Sequence, residues 1–305
     1  MTKFFTYSTL LAGLALLGTT QQAEAQQFTK RKQYTSIGVS LNAMNYFGDV
    51  NPQTSFASFK FGDTRPNIGV SITHRYFPRI SGRFALAAGR IAANDDNQGS
   101  SLGTDAYFRN NRNMNFRNNI YEASAVMIVD LIENRNNYLK RPDFVPYLFA
   151  GLAGFYHNPQ GTRDGGNTWV DLQPLQTEQT TYSRVNFAIP FGGGVRYRIN
   201  RNLDASFEIG FRKTFTGYLD DVNGNYRGPQ ALNITNTSLS TGAAAADPSV
   251  SNAQYFGYYI TKDHRGGTFD GAGVKRGQGK NDWYTVVGFS LNYILNPKIK
   301  NPKFR

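Results

Sequence analysis

Histidine, cysteine and clustered acidic residues most often carry catalysis or bind metals, and this sequence offers few of them in useful arrangements. It has no cysteine, and its three histidines, His74, His157 and His264, lie far apart along the chain. A structural zinc site needs several such ligands at close spacing, and no such set stands close together here. The sequence therefore predicts no enzyme, no cofactor and no metal site.

Two polar stretches resemble ligand-binding loops in part. The glycine-rich stretch 265–273 lacks the strand-to-helix context and the Gly-Lys-Ser/Thr ending of a phosphate-binding loop. Asp221, Asn223 and Asn225 alternate like the first ligands of a calcium loop, but the required glycine spacing and terminal glutamate are missing. We interpret the first stretch as a flexible external loop and the second as a turn formed by Asn-Gly.

Charged side chains of both signs recur at alternate positions of several apolar segments. If these segments are strands of a closed barrel, the charged positions face its lumen. An eight-stranded barrel has room inside for side chains but not for a wide channel, so the charges must pair or be hydrated. The sequence predicts a salt-bridged lumen network, with a selective ion path as the alternative. Its members are Glu122, Asp130, Arg184, Arg196, Arg198, Asp204, Glu208 and Arg212.

The elements that position these charges are about eight segments in which apolar and polar residues alternate. In the clearest one, Val185, Phe187 and Ile189 alternate with polar or small residues. Each clear segment has about 9–15 residues, enough for a tilted strand to cross a bilayer. The facing of 84–91 and 145–156 is ambiguous, because both faces are apolar or small. The pattern predicts an all-β, antiparallel up-and-down transmembrane barrel, and a secreted β-sandwich is the remaining alternative.

The connections between these segments alternate in length. Long polar ones lie near 48–65, 94–118, 157–181 and 217–282, and short ones lie near 78–82, 133–143 and 199–202. Outer-membrane barrels place short turns in the periplasm and long loops outside. Pro190 interrupts one strand, because proline cannot donate to the sheet ladder. The adjacent glycines 192–194 predict a bulge or sharp bend that accommodates it.

The first 25 residues have the features of a secretory signal, with Lys3, an apolar stretch and Ala-Glu-Ala before the cleavage site. Residues 26–295 then form the barrel, with a long external loop at 217–282. The predicted location is the outer membrane of a Gram-negative bacterium. The net charge of +12 would suggest nucleic acid in a cytosolic protein. Behind a signal peptide, it favours outer-membrane lipid and lipopolysaccharide phosphates, or an acidic periplasmic partner, and no nucleic acid.

A basic tail, 296–305, follows the last strand. Two prolines stop the strand, and the topology predicts that the tail lies in the periplasm, either solvated or docked to a partner. Its candidate contact residues are Lys298, Lys300, Lys303 and Arg305.

Several stretches resemble the PorG-like outer-membrane barrels of Bacteroidota. They are 46–51 (YFGDVN), 146–160, 169–178, 207–226, 276–284 (RGQGKNDWY) and the closing PKFR. The most specific parts are Leu219, Asp220, Asp221 and Val222, and Asn281, Asp282, Trp283 and Tyr284. The resemblance implies a non-catalytic barrel associated with the type IX secretion system and, in some species, with gliding motility. Its implied partner is a periplasmic ring that contains a lipoprotein.

Three functions follow from these observations. The first is a scaffold that anchors the secretion machinery through the periplasmic turns and the tail. The second is a surface-binding, adhesin-like barrel that acts through its long external loops. The third is a narrow pore through the charged lumen.

Overall fold

The computed structural model describes residues 32–50, 61–95, 114–226, 251–257 and 275–295. The predicted signal peptide and the basic tail lie outside these residues, as does His264. Across the described ranges, no helix is long and apolar enough to cross a membrane. A short helix, α1, spans Asn252–Gly257. The strands are β1 (Thr35–Phe47), β2 (Arg65–Arg75), β3 (Ile80–Asn94), β4 (Asn115–Asp130), β5 (Phe144–Gly161), β6 (Val170–Asp171), β7 (Val185–Arg198), β8 (Leu203–Thr214) and β9 (Trp283–Leu295).

Eight of these strands close into one antiparallel barrel. The hydrogen-bonded order is β4-β3-β2-β1-β9-β8-β7-β5, and β4 also pairs with β5. Every long strand therefore pairs with the long strands before and after it in the chain, and the first and last strands also pair with each other. The two-residue strand β6 adds to the end of β5. The predicted up-and-down barrel is confirmed.

A belt of large apolar side chains faces outward around the barrel. Leu41 is 66% exposed, Leu152 71% and Phe187 68%. So much exposed apolar surface is unfavourable in water, whereas a closed barrel satisfies its own backbone and can present such a belt to lipid. The belt also settles the two ambiguous strands. In β3, Phe84 and Leu86 face lipid and Arg83 faces the lumen; in β5, Leu148 and Leu152 face lipid and Tyr147 and Phe149 face the lumen.

The expected bulge at Pro190 is absent. The register between β7 and β8 runs without a shift from Ala188 to Arg198. The register with β5 is the same on both sides of the proline, and only the pairs at 189 and 190 are missing. The glycines serve packing instead. A Cβ at Gly194 would lie 2.8 Å from the Tyr147 ring, and one at Gly192 would lie 2.9 Å from the Phe149 ring, so their absence makes room for both rings.

The connections alternate in length as the sequence predicted. The short ones are 76–79, 131–143 and 199–202, and the long ones are 48–64, 95–114, 162–184 and 215–282. By the rule for outer-membrane barrels, the short turns face the periplasm and the long loops face outside. The protein is thus an outer-membrane barrel of the Gram-negative type.

Candidate functional site

The middle of the lumen is crossed by two groups of buried, hydrogen-bonded charges. Arg83 forms an ion pair with Glu208, which also accepts a hydrogen bond of 2.6 Å from the Tyr147 hydroxyl. Arg212 lies 3.4 Å from Glu122, which accepts 2.7 Å from Tyr284. A cavity of about 70 Å³ lies between these groups. Its polar lining and size suit a few water molecules, and the paired charges are compensated as buried charges must be.

The periplasmic end of the lumen is filled by a second set of ion pairs. Asp130 is fully buried and receives the guanidinium groups of Arg75 and Arg196, the latter at 2.9 Å. Arg141 reaches in from the turn 131–143 and donates to Asp204 at 2.6 Å. Arg141 also donates to the carbonyls of residues 200 and 201, at 2.9 and 2.7 Å. This one side chain therefore binds two periplasmic turns together.

The charges expected in the lumen divide into two groups. Glu122, Asp130, Arg196, Asp204, Glu208 and Arg212 lie in the lumen network just described. Arg184 lies outside it, 4.0 Å from Asp171 near the external end. Arg198 also lies outside it and pairs with the exposed Asp143 at the periplasmic end. Sequence reasoning missed Arg75, Arg83 and Arg141, which supply three of the cations.

The external end of the lumen is closed by the start of the fourth loop. Leu219 and Val222 are fully buried in an apolar cluster with Tyr46, Phe116 and Phe155. The Asn118 side chain donates 2.7 Å to the Leu219 carbonyl and so holds the loop to the barrel wall. Four residues that the resemblance marked, 219–222, therefore form a plug in the barrel mouth.

Two buried carboxylates, Asp220 of the plug and Asp282 beside it, share one tyrosine hydroxyl. The Tyr46 hydroxyl lies 2.5 Å from Asp220 Oδ2 and 3.0 Å from Asp282 Oδ1. The backbone N–H groups of Val50 and Leu219 donate to Asp220 and Asp282, at 3.1 and 2.9 Å. Burial, and the neighbouring Asp220 charge, raise the pKa of Asp282 well above its usual range. A hydroxyl can donate to one carboxylate at a time, so a proton retained on Asp282 would complete the arrangement.

Above the plug, Arg276 joins the third and fourth loops. Its side chain is fully buried and lies 3.2 Å from Glu178 and 3.4 Å from Asp221. It also donates 2.7 Å to the Thr177 hydroxyl. Asp221 accepts a further hydrogen bond of 2.7 Å from Tyr182. Burial raises the pKa of Asp221, and the adjacent Arg276 opposes that shift.

The two ends of the fourth loop run side by side. Glu178 accepts hydrogen bonds from the N–H groups of Asn223 and Gly224, at 3.0 and 2.7 Å. The backbone N–H of Arg276 donates 2.8 Å to the Gly224 carbonyl. Asn225 and Lys275 form an isolated antiparallel bridge. We call 219–226 and 275–282 the stem, and the stem together with 48–50 and 172–182 the external cap.

The remaining motif residues have separate places. Asp282 is buried beside the plug and Tyr284 lies in the lumen, whereas Asn281 is exposed. Trp283 stands at the external rim, where Lys213 lies 5.4 Å from its ring centre. The tail residues 298, 300, 303 and 305 lie outside the described part of the chain. In the described part, no three His, Cys, Asp or Glu side chains are grouped as metal ligands.

Solved barrels resemble this chain at low scores. The attachment invasion locus protein Ail of Yersinia pestis, in complex with the heparin analogue sucrose octasulfate, has a TM-score of 0.38 and 7% identity over 87% of this chain and 99% of that chain. Neisserial surface protein A has a TM-score of 0.35 and 11% identity, over 86% of this chain and 95% of that chain. The N-terminal barrel of Pseudomonas aeruginosa OprF has a TM-score of 0.32 and 11% identity, over 86% of this chain and 98% of that chain. The fold described above is established by the strand pairing of this chain itself.

No curated protein sequence matches the chain. A family model described as a domain of unknown function, DUF6089, matches residues 23–240. The match begins before the first strand, covers seven of the eight barrel strands and includes the buried plug. The chain belongs to the DUF6089 family.

Proposed function

We propose that this protein is a non-catalytic outer-membrane barrel that binds ligands or surfaces outside the cell through its fourth loop. The observation that carries the proposal is the external cap. Its central cation, Arg276, is fully buried and holds acidic partners from two different loops. Such a cap fixes the position from which the loop extends, and a rigid scaffold that presents loops is a common design of binding proteins.

The closed lumen supports the same proposal. Ion pairs cross its middle and its periplasmic end, and an apolar plug fills its external end. Because the interior is filled with paired side chains, the surfaces that remain for a partner are the two ends. A narrow pore is the alternative that fits this interior least.

The test is to replace 227–274 by a short Gly-Ser linker and keep the stem. Cells that display the wild-type or the shortened protein are assayed for adhesion to surfaces coated with heparin, mucin or lipopolysaccharide. We expect adhesion to at least one surface to be lost, while heat-modifiable migration in gels shows that the barrel is still folded. Adhesion that is equal with and without the loop, or wild-type adhesion no greater than that of cells without the protein, overturns the proposal.

The periplasmic scaffold is the second candidate, and Arg141 is the observation that favours it. This buried residue orders the turn 131–143, which exposes Arg135, Leu139 and Lys140 at the end of the barrel. The resemblance to the PorG-like barrels suggests what such a turn would contact. It would be the periplasmic ring, built of a lipoprotein and its partner, that serves type IX secretion and gliding. The basic tail, with Lys298, would add to this surface.

Charge reversal tests the scaffold. Arg135 forms an exposed ion pair of 2.8 Å with Glu133, so exchanging both signs keeps the pair and costs little stability. If the scaffold is correct, the exchange combined with deletion of 296–305 removes a periplasmic lipoprotein from barrel pull-downs, whereas the loop replacement above does not. Unchanged pull-downs and unchanged secretion contradict the scaffold.

A further inference from the structure

Two arginines stand side by side on the outward face of the barrel, near its external end. Arg90 lies on the same outward face of β3 as Phe84 and Leu86. Arg117 lies on the same outward face of β4 as the exposed Tyr121. The register pairs 90 with 119 and 92 with 117, so the two arginines are diagonal neighbours. Diagonal neighbours on one face have Cα atoms about 7–8 Å apart, so the two side chains start from the same patch of the outer surface.

Neutral groups orient both guanidinium groups. Arg90 Nε donates 2.8 Å to the Asn119 side chain, and Arg117 Nε donates 2.9 Å to the Gln160 side chain. The Arg117 guanidinium also lies over the Trp169 ring, 4.2 Å from its centre. Among the described residues, neither arginine forms an ion pair with a carboxylate. The pair is therefore fixed in place with its terminal N–H groups available, which is the geometry that suits phosphate oxygens.

Asp171, which lies beside the Arg117 partner Gln160, is already engaged. Asp171 accepts 2.7 Å from the Gln160 amide and lies 4.0 Å from Arg184. It thus supports the orientation of Arg117 through Gln160 and leaves the arginine pair with an excess of positive charge.

An apolar groove lies on the same outward face of the barrel, and it includes Ala88, two residues along β3 from Arg90. Its floor is formed by outward-facing small residues on three adjacent strands, Ala88, Ala123 and Gly154, and its walls include Tyr121 and Tyr156. The two tyrosine rings lie 6.3 Å apart, at the level where aromatic girdles meet the lipid headgroups. A headgroup phosphate at this level would meet the arginines while an acyl chain followed the groove.

We propose that Arg90, Arg117 and this groove form a binding site for a phosphorylated lipid of the outer leaflet, of the lipid A type. The arginines bind the phosphate, Trp169 holds Arg117 in position, and the groove accommodates an acyl chain. The continuity of the groove with the cationic pair favours a lipid over a free anion, because a free anion would have no use for the apolar floor. This inference depends on the barrel fold and not on the proposed binding function of the loop.

The test measures lipid binding by native mass spectrometry of the purified, detergent-solubilised full-length protein. The probes are phosphorylated lipid A, the same lipid A after enzymatic dephosphorylation, and inorganic phosphate. We expect wild-type protein to retain phosphorylated lipid A at least about tenfold more tightly than the dephosphorylated form, since charge-assisted contacts are lost. This comparison needs no variant, so it does not depend on whether a substitution folds.

The variants locate the site. Arg90→Gln combined with Arg117→Gln should lower the affinity for phosphorylated lipid A by about tenfold or more and leave that for the dephosphorylated form unchanged. Lys213→Gln is the matched control, because this exposed cation stands at the external rim of β8, across the barrel. Ala123→Leu should weaken both lipid forms by filling the groove. The proposal is overturned if both lipid forms bind equally, if the double variant matches Lys213→Gln, or if inorganic phosphate competes as well as lipid A.

Discussion

Replacing Arg276 with glutamine should open the external cap and leave the barrel folded. The substitution leaves Glu178 and Asp221 buried beside a neutral side chain, where a fully buried guanidinium had compensated them. Losing one partner of a buried ion pair costs about 3–5 kcal/mol. We expect the lower end, about 3 kcal/mol, because Asp221 can relieve the charge by taking up a proton. At about 1.4 kcal/mol per factor of ten, this increases the open fraction of the cap roughly 100-fold.

Native-state hydrogen exchange measures this change directly. The N–H groups of Asn223 and Gly224 donate to Glu178, so their protection factors report opening of the cap. We expect both to fall about 100-fold in Arg276→Gln, while amides of the paired strands β8 and β9 stay protected. Arg135→Gln is the control, since this exposed arginine should contribute less than about 1 kcal/mol.

The pH dependence gives the same prediction a second test. Burial raises the pKa of Asp221 above that of the unfolded chain. A carboxyl whose folded pKa is raised favours the folded state at low pH, and this contribution is lost as the pH rises through the folded pKa. The loss of protection in Arg276→Gln should therefore be larger at pH 8 than at pH 5. Equal protection in variant and wild type at both pH values would refute a central role for Arg276.

Three further results are expected. Burial also raises the pKa of Asp282, so the plug amides of the wild-type protein should be better protected from hydrogen exchange at pH 5 than at pH 8. The opposite order would contradict a buried, protonated carboxyl. Gly194→Val should lower the free energy of unfolding in urea by about 3 kcal/mol through overpacking, because its Cβ would lie 2.7 Å from a backbone carbonyl. Gly193 faces lipid, so Gly193→Val should lower that free energy far less. In planar bilayers, neither the wild type nor the double variant Arg83→Ala/Glu208→Ala should conduct ions, because the plug and the periplasmic ion pairs still close the lumen. Single-channel current steps in either protein would contradict a sealed barrel.

The strands could be predicted from the sequence where the two faces differ chemically. In β7, large apolar residues such as Phe187 alternate with small or polar ones, and the outward face was correctly inferred. In β3 alanine occupies both faces, and in β5 aromatic residues do, so the alternation carries little information. The two arginines of β3 do not resolve this, because Arg83 faces the lumen and Arg90 lies on the outward face with Phe84.

The site was harder to predict, because its contacts join residues far apart in the chain. Nothing local in the sequence indicates that Tyr46 meets Asp220 and Asp282, or that Arg276 meets Glu178. The resemblance marked several of these positions without giving their roles. Pro190 led to the wrong expectation for a related reason, since the effect of a missing N–H depends on the partner strand. Here the neighbouring ladder with β8 is intact and only a local gap with β5 results.

The paired stem of the fourth loop bears on how this family can diversify. Because Asn225 and Lys275 already meet, the chain between them begins and ends at nearly the same point. Doubling the length of such an insertion adds only about 0.6 kcal/mol of closure entropy. A change in the length of this segment should therefore cost the barrel little folding free energy. For the same reason, residues 225 and 275 are suitable junctions for displaying a foreign epitope on the cell surface.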